Sequence, residues 1–177
     1  GSIAGATVRC DQGEGLPGAR HRQQITQTTN EGEFELWLAR GEYQLSVHHL
    51  DYAPHTSELL IGGSEFSQDI NLIPGGSIEG VVLAVDSMLP VPGAVIFSST
   101  GAHKQGAVSD ERGRFRLARV PPGTTQLRAS ASGSTTLNPQ TVDLGVGETR
   151  GEIELFLEAA YDIRGRVVDS SGQAVQG

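Results

Sequence analysis

Three short blocks of this sequence are nearly the same, and such repetition restricts the chain to an array of small, similar units. The blocks are GSIAG at residues 1–5, GSIEG at 76–80 and YDIRG at 161–165. The first two stand 75 residues apart, and LPGA at 16–19 returns as VPGA at 91–94 with the same offset. Self-similarity at a fixed period is typical of repeated structural units that stack or follow one another.

A later pair of blocks supports the same division. NEGEFEL at 30–36 matches ERGRFRL at 111–117 with an offset of 81, so the loops of the two copies differ slightly in length. We therefore predict a first module over residues 1–75, a second over residues 76–160, and the first strand of a truncated third module over residues 161–177.

Within each module, apolar and polar residues alternate as they do in half-buried strands. Phe34, Leu36 and Leu38 follow this period of two, and the same period continues over residues 41–48 and 114–117. The 24 glycines and 8 prolines favour many turns over long helices. We predict an all-β fold of tandem, small, antiparallel seven-stranded β-sandwiches with Greek-key connections.

A tight turn is predicted at the same place in both modules. Asn30 and Asp110 are candidates to cap this turn with their side chains, and Gly32 and Gly113 are placed to supply a positive φ.

Composition and motifs argue against several functional classes. The net charge of −8 does not suit a nucleic-acid partner, and no apolar run is long enough for membrane insertion. The single Cys10 cannot form an internal disulfide. GEGLPG at 13–18 has the glycine spacing of a phosphate loop, but Pro17 and an extended segment follow where a helix would be required. Without a hydrolase motif, we predict no enzyme activity and no cofactor.

HHLDYAPH is the one metal-binding candidate, with His48, His49, Asp51 and His55 close in sequence. Neighbouring residues of a strand point to opposite faces, so His48 and His49 cannot join one site without a bulge. We predict no metal site.

The residues opposite the apolar face of 33–38 are candidates for ligand binding. Glu33, Glu35 and Trp37 point outward in this pattern, with Tyr52 at the adjoining turn. An outward aromatic ring beside carboxylates can bind a sugar: the ring packs on C–H groups, and the carboxylates accept hydrogen bonds from hydroxyl groups. Alternatively a loop or a neighbouring module covers Trp37, which the rarity of large exposed rings favours.

Charge inverts between the two copies at this same place. The first module has four basic and ten acidic residues, a net charge of −6, against −2 for the second. At an offset of 81, three glutamates align with three arginines: Glu31, Glu33 and Glu35 with Arg112, Arg114 and Arg116. We hypothesise that the acidic stripe of one module faces the basic stripe of another.

The second module resembles the carboxypeptidase regulatory-like domains, which are similar to transthyretin and to the B-type repeats of bacterial adhesins. The resemblance is carried by Ile78, Gly80, Val82, Gly93, Ala94, Asp110, Gly113, Phe115, Leu117, Pro121, Pro122 and Gly123. The first module departs from it, with Asn30 at the turn aspartate and Ala39-Arg40-Gly41 in place of the proline pair.

The resemblance implies a secreted or cell-envelope protein in which such domains serve as non-catalytic spacers, accessory domains or binding modules. We predict a structural, spacer or assembly module whose partners are neighbouring modules of the same chain and possibly other surface proteins or polysaccharide. One alternative is a carbohydrate-binding module that uses Trp37. Another is an accessory domain that helps a peptidase or transporter fold.

Overall fold

The computed structural model describes residues 1–12, 23–63, 66–101, 103–136, 138–160 and Arg166. In that part of the chain the structure has twelve strands and no helix, so the all-β prediction is confirmed. The GEGLPG loop, the LPGA block and the strand predicted for a third module lie outside the described residues. The module boundaries stay a prediction, and we call residues 1–75 the N-terminal half and 76–160 the C-terminal half.

The N-terminal half contains one antiparallel sheet of four strands in the order β2-β1-β3-β4. The strands are β1 (Thr7–Gln12), β2 (Gln23–Gln27), β3 (Gly41–His48) and β4 (His55–Ile61). Alternate residues of β1 and β3 are buried because strand side chains point to opposite faces in turn. The core centres on Val8, Cys10 and Leu45, which are at most 2% exposed.

The other layer of this half consists of two extended segments, residues 33–40 and 66–73, which form no strand ladder among the described residues. Their apolar side chains still face the core in alternation: Phe34, Leu36, Leu38, Ile70 and Leu72 are partly buried against it. The strand predicted over 33–38 is therefore wrong, because the segment has the periodicity of a strand without a backbone neighbour. Seven strands were predicted in this half, and four are described.

The C-terminal half has eight strands where seven were predicted. They are β5 (Gly76–Ala84), β6 (Val95–Thr100), β7 (His103–Val108), β8 (Arg114–Val120), β9 (Gly123–Ala131), β10 (Ser134–Thr135), β11 (Gln140–Leu144) and β12 (Thr149–Ala159). Their order is β7-β6-β9-β10-β12-β5-β8, and β11 pairs with β9. Most pairs are antiparallel, but β12 and β5 are parallel, which corrects the wholly antiparallel prediction.

The two ends of this sheet share one core, which gives the half its sandwich form. Ile78 of β5 and Phe115 of β8 pack in the same buried cluster as Ile96 of β6 and Leu127 of β9. Strand β5 is central because it pairs with β8 on one side and β12 on the other.

Matching hydrogen bonds define how the two halves correspond. The N–H of Ala6 donates to Thr28 Oγ1, and the N–H of Ala94 donates to Ser109 Oγ, both at 2.9 Å. Each hydroxyl donates in turn to a carbonyl: Thr28 to Ile3 at 2.7 Å and Ser109 to Val91 at 2.8 Å.

This correspondence corrects the repeat alignment at the start of the chain. Gly5 takes the place of Gly93, with φ of 72° and 70°, whereas Gly80 lies within β5. GSIAG thus occupies the position of residues 89–93 and not that of GSIEG. No described residue of the N-terminal half corresponds to β5.

Candidate functional site

The predicted turn is present in both halves, with one change in the capping residue. Asp110 Oδ1 accepts the N–H groups of Arg112 and Arg114 at 2.9 and 2.8 Å. In the N-terminal half Thr29 Oγ1 accepts the matching two N–H groups, both at 3.2 Å. The prediction of Asn30 as the cap is wrong, because the hydroxyl of the preceding threonine occupies the position of the aspartate oxygen. Hydrogen bonds from these two N–H groups hold the pKa of Asp110 below its usual value.

Beyond this turn, Glu33, Glu35 and Trp37 are exposed on one face of the extended segment, as predicted from the alternation. Trp37 is 78% exposed, so none of the described residues covers its ring. The side-chain amide of Gln24 on β2 fixes this backbone: Trp37 N–H donates to Gln24 Oε1 at 3.0 Å, and Gln24 Nε2 donates to the Trp37 carbonyl. Gln24 was not singled out from the sequence, since its role depends on a contact between layers.

Tyr52 is held at a different part of the molecule from Trp37. Its backbone forms an isolated antiparallel bridge with Pro74. Its ring contacts His49 edge-on, with 5.2 Å between the ring centroids. Tyr52 therefore lies beyond the end of β3, whereas Trp37 is bonded to the edge strand β2. The structure does not bring the four predicted ligand-binding residues into one site.

The six charged residues of the two stripes are all exposed. Arg116 already has an acidic partner in its own half, because its Nη1 lies 2.8 Å from Oε1 of Glu79 on the neighbouring strand β5. No strand among the described residues lies beside the glutamates at the matching positions of the N-terminal half. The pairing of acidic and basic stripes between modules stays a proposal.

The histidine-rich segment is divided between two places. His49 Nδ1 accepts the N–H of Asp51 at 3.2 Å, while His48 is near enough to Arg119 and His103 of the C-terminal half to interact electrostatically with them. Among the residues that the structure describes, no three His, Cys, Asp or Glu side chains are grouped to hold a metal ion.

The junction between the halves is packed from both sides. The carbonyl of Pro74 accepts the N–H of Gly147 at 3.2 Å. A Cβ atom on Gly75 would lie 2.6 Å from Cα of Arg119 and 3.0 Å from the backbone nitrogen of Ala53. Arg119 has a φ of 59° at a bulge in β8, which brings its backbone against the linker. The sequence feature at this contact is a proline followed by two glycines, Pro74-Gly75-Gly76, but the partners of these residues cannot be identified from the sequence.

Histidines of the two halves lie close enough for one to influence the pKa of the other. Burial, followed by the charges of Arg119 and Arg9, lowers the pKa of His48. Burial and the proximity of His48 lower the pKa of His103. These shifts favour neutral imidazoles at neutral pH.

Comparison with known proteins confirms the resemblance for the C-terminal half. Residues 77–157 match the family model of the carboxypeptidase regulatory-like domain. No curated protein matches the sequence. No helix long and apolar enough to cross a membrane occurs in the described part of the chain.

Several solved structures are similar over most of this chain. GBS52, the minor pilin of Streptococcus agalactiae, is 13% identical, with 94% of this chain and 88% of that chain covered and a TM-score of 0.39. The shaft pilin SpaA of Lactobacillus rhamnosus GG is 8% identical, with 92% and 90% covered and a TM-score of 0.40. A streptococcal ancillary pilin is 14% identical, with 87% and 57% covered and a TM-score of 0.38.

Proposed function

We propose that this chain is a non-catalytic spacer and assembly module of a larger secreted or cell-envelope protein. The family match over residues 77–157 supports a regulatory-like accessory domain in the C-terminal half. The observation that carries the proposal is the packed junction, because a spacer must transmit direction from one unit to the next.

The junction has the features that a fixed connection requires. Gly75 is enclosed by backbone atoms of Arg119 and Ala53, one from each half, so the linker has no room for a side chain. Directly before it, the carbonyl of Pro74 accepts the N–H of Gly147 from the C-terminal half at 3.2 Å. Backbone contacts of this kind restrict rotation between the halves more than side-chain contacts do, since both partners are already ordered.

Small-angle X-ray scattering combined with residual dipolar couplings tests this proposal. We expect one alignment tensor to fit both halves of the unmodified chain. Gly75→Val should give two separate tensors, because its side chain would displace Arg119 or Ala53. Gly151→Val is the matched control, since a Cβ at Gly151 meets no atom within 4 Å. Independent tensors in the unmodified chain would refute the fixed spacer.

A second candidate function is carbohydrate binding, and the exposure of Trp37 favours it. A ring that is 78% exposed, with Glu33 and Glu35 on the same face, can stack on the C–H groups of a sugar while carboxylates accept hydroxyl hydrogen bonds. Titration of Trp37 fluorescence with soluble polysaccharides tests it. A saturable shift with one glycan that Glu33→Gln weakens would support this function, whereas no response across the panel would exclude those glycans.

A further inference from the structure

The outer face of strand β5 is apolar at its centre and has opposite charges on its two sides. Val81 and Leu83 point outward from this strand, because Val82 between them is buried in the core. Residues of the two neighbouring strands and of the segment after β5 complete the surface. We call the following residues the β5 face: Val81, Leu83, Pro90, Arg114, Glu154 and Phe156.

The first row of the β5 face, across the strands, carries a charge at each end. Val81 lies between Arg114 of β8 and Glu154 of β12, by the registers of the two strand pairs. Neighbouring strands are about 4.8 Å apart, so about 10 Å separates the backbones of the two charged residues. Both charged side chains are exposed, and neither forms an ion pair in the described part of the chain. The adjacent row differs, because Arg116 already pairs with Glu79 there.

The second row of the β5 face is apolar throughout. Leu83 lies between Phe156 of β12, its partner in the parallel register, and Pro90, with which it forms an antiparallel bridge. Phe156 is 38% exposed, Pro90 is exposed as well, and Leu83 is half-buried. A contiguous apolar row with charged residues beside it is typical of a surface that contacts another protein.

We propose that the β5 face binds the same face of a second copy of this chain around a two-fold axis parallel to β5, an inference that rests on the proposed assembly function. Rotation about this axis keeps each row at its level and exchanges the two sides of β5. Arg114 of each copy then lies over Glu154 of the other, and Val81 meets Val81. In the second row, Phe156 lies over Pro90 of the other copy. Sheets packed face to face are about 10 Å apart, a distance that these side chains can fill.

Charge complementarity is the reason for a second copy as the occupant. The basic and acidic ends of the first row lie on opposite sides of β5, so a two-fold axis along the strand matches each charge with its opposite. A two-fold axis across the strands would instead place Arg114 over Arg114 and Glu154 over Glu154. The charges therefore fix the orientation of the two copies, and the contact closes as a dimer.

The outer face of β6 shows that exposed apolar residues alone do not favour a second copy. Val95 and Phe97 of that strand are 38% and 53% exposed. The charged side chains that point outward on the two neighbouring strands, Lys104 of β7 and Arg128 of β9, are both basic. A second copy on this face would bring like charges together, so this face provides the control substitutions.

Sedimentation velocity of charge variants of the full chain over a range of concentrations tests the proposal. We expect the unmodified chain to dimerise. Arg114→Glu and Glu154→Arg should each weaken dimerisation at least tenfold, since each change places two like-charged pairs in the contact. The double variant Arg114→Glu/Glu154→Arg should dimerise again, and so should an equimolar mixture of the single variants. Arg128→Glu on the outer face of β6 and its neighbours is the matched control and should have no effect.

Nuclear Overhauser effects between copies provide an independent readout of the geometry. In a mixture of isotope-labelled and unlabelled chains, we expect contacts between the ring of Phe156 and Pro90 of the other copy. Phe156→Ser should weaken the dimer, whereas Phe97→Ser, on the control face, should not.

Three outcomes would overturn the proposal. The first is a chain that stays monomeric at every concentration, and the second is a dimer that the double charge variant does not restore. The third is loss of the dimer in Glu33→Arg, which would favour the pairing of acidic and basic stripes instead. The fixed junction can still hold in each case, because the β5 face lies wholly in the C-terminal half and the alignment tensors compare the two halves of one chain.

Discussion

The two halves of this chain are alike at their turns and differ at their centres. Both fix the chain just before a matching strand, β1 in one half and β6 in the other, with the same pair of hydrogen bonds. Thr28 makes these bonds in the N-terminal half and Ser109 in the C-terminal half. Among the described residues, only the C-terminal half has a strand at the position of β5, which pairs with β8 on one side and β12 on the other. The same local geometry in both halves therefore does not guarantee a complete sheet, since a ladder also needs its partner strand.

The difference shows how much of a sandwich one strand determines. In the C-terminal half β5 pairs with two strands and buries two aliphatic side chains completely. In the N-terminal half, segments 33–40 and 66–73 keep their alternation and their contact with the core, but they form no ladder among the described residues. A side-chain amide, that of Gln24, substitutes for a strand at one backbone position.

The largest expected contrast is between two matched leucines. Leu117→Ala should lower the free energy of unfolding of the C-terminal half by about 2–5 kcal/mol, as full burial implies. Leu36→Ala should cost the N-terminal half only about 1 kcal/mol, because the side chain is already partly exposed. Urea unfolding followed through resolved amide signals of each half measures both. Equal losses would show that the N-terminal core is complete.

A smaller effect is expected where the halves are alike. Gly32 and Gly113 have φ of 80° and 71°, and a Cβ on either would lie within 3.0 Å of another atom. Alanine at each position should therefore cost about 1–3 kcal/mol. Thermal unfolding of the two variants is the measurement, and a neutral Gly32→Ala would mean that the N-terminal turn is not fixed as its counterpart is.

The stability that the turn cap contributes should depend on pH in the C-terminal half and not in the N-terminal half. The pKa of Asp110 is lower in the folded state, so this cap contributes stability above the unfolded pKa of about 3.9 and loses it as the pH falls through the folded value. Asp110→Thr should flatten that part of the acid unfolding curve, since Thr29 caps without a charge. Glu111→Gln is the neighbouring control, and an equal flattening by both would exclude the capping explanation.

The smallest predicted effect is at the junction. Because the folded-state pKa of His48 is lowered, its neutral form stabilises the junction above the unfolded pKa of about 6.5, and this stability is lost as the pH falls through the folded value. Residual dipolar couplings measured at pH 7 and pH 5 check this prediction. In the unmodified chain the alignment tensors of the two halves should diverge as the pH falls, and His48→Gln should reduce this divergence. His49→Gln is the control. An unchanged pH profile would mean that His48 does not face the cations of the junction.

Much of the C-terminal half could be predicted from the sequence, because alternation and turn residues are local signals. The strand at 114–117 and the cap at Asp110 are examples. The parallel partner of β12 could not, since periodicity does not identify a neighbour. GSIAG was aligned with GSIEG because the two blocks are similar in sequence. The hydrogen bonds that define its true position cannot be seen in the sequence. That residues 33–38 form no ladder among the described residues could not be predicted either, because a segment keeps its alternation whether or not a strand pairs with it.

Amide hydrogen exchange tests most directly the central claim that matched segments of the two halves differ in backbone pairing. We predict that the amides of Leu36 and Leu38 exchange rapidly, while those of Phe115 and Leu117, which pair with β5, are protected. Slow exchange at Leu36 and Leu38 would contradict the account, because it would mean that these two amides are hydrogen-bonded as their counterparts are.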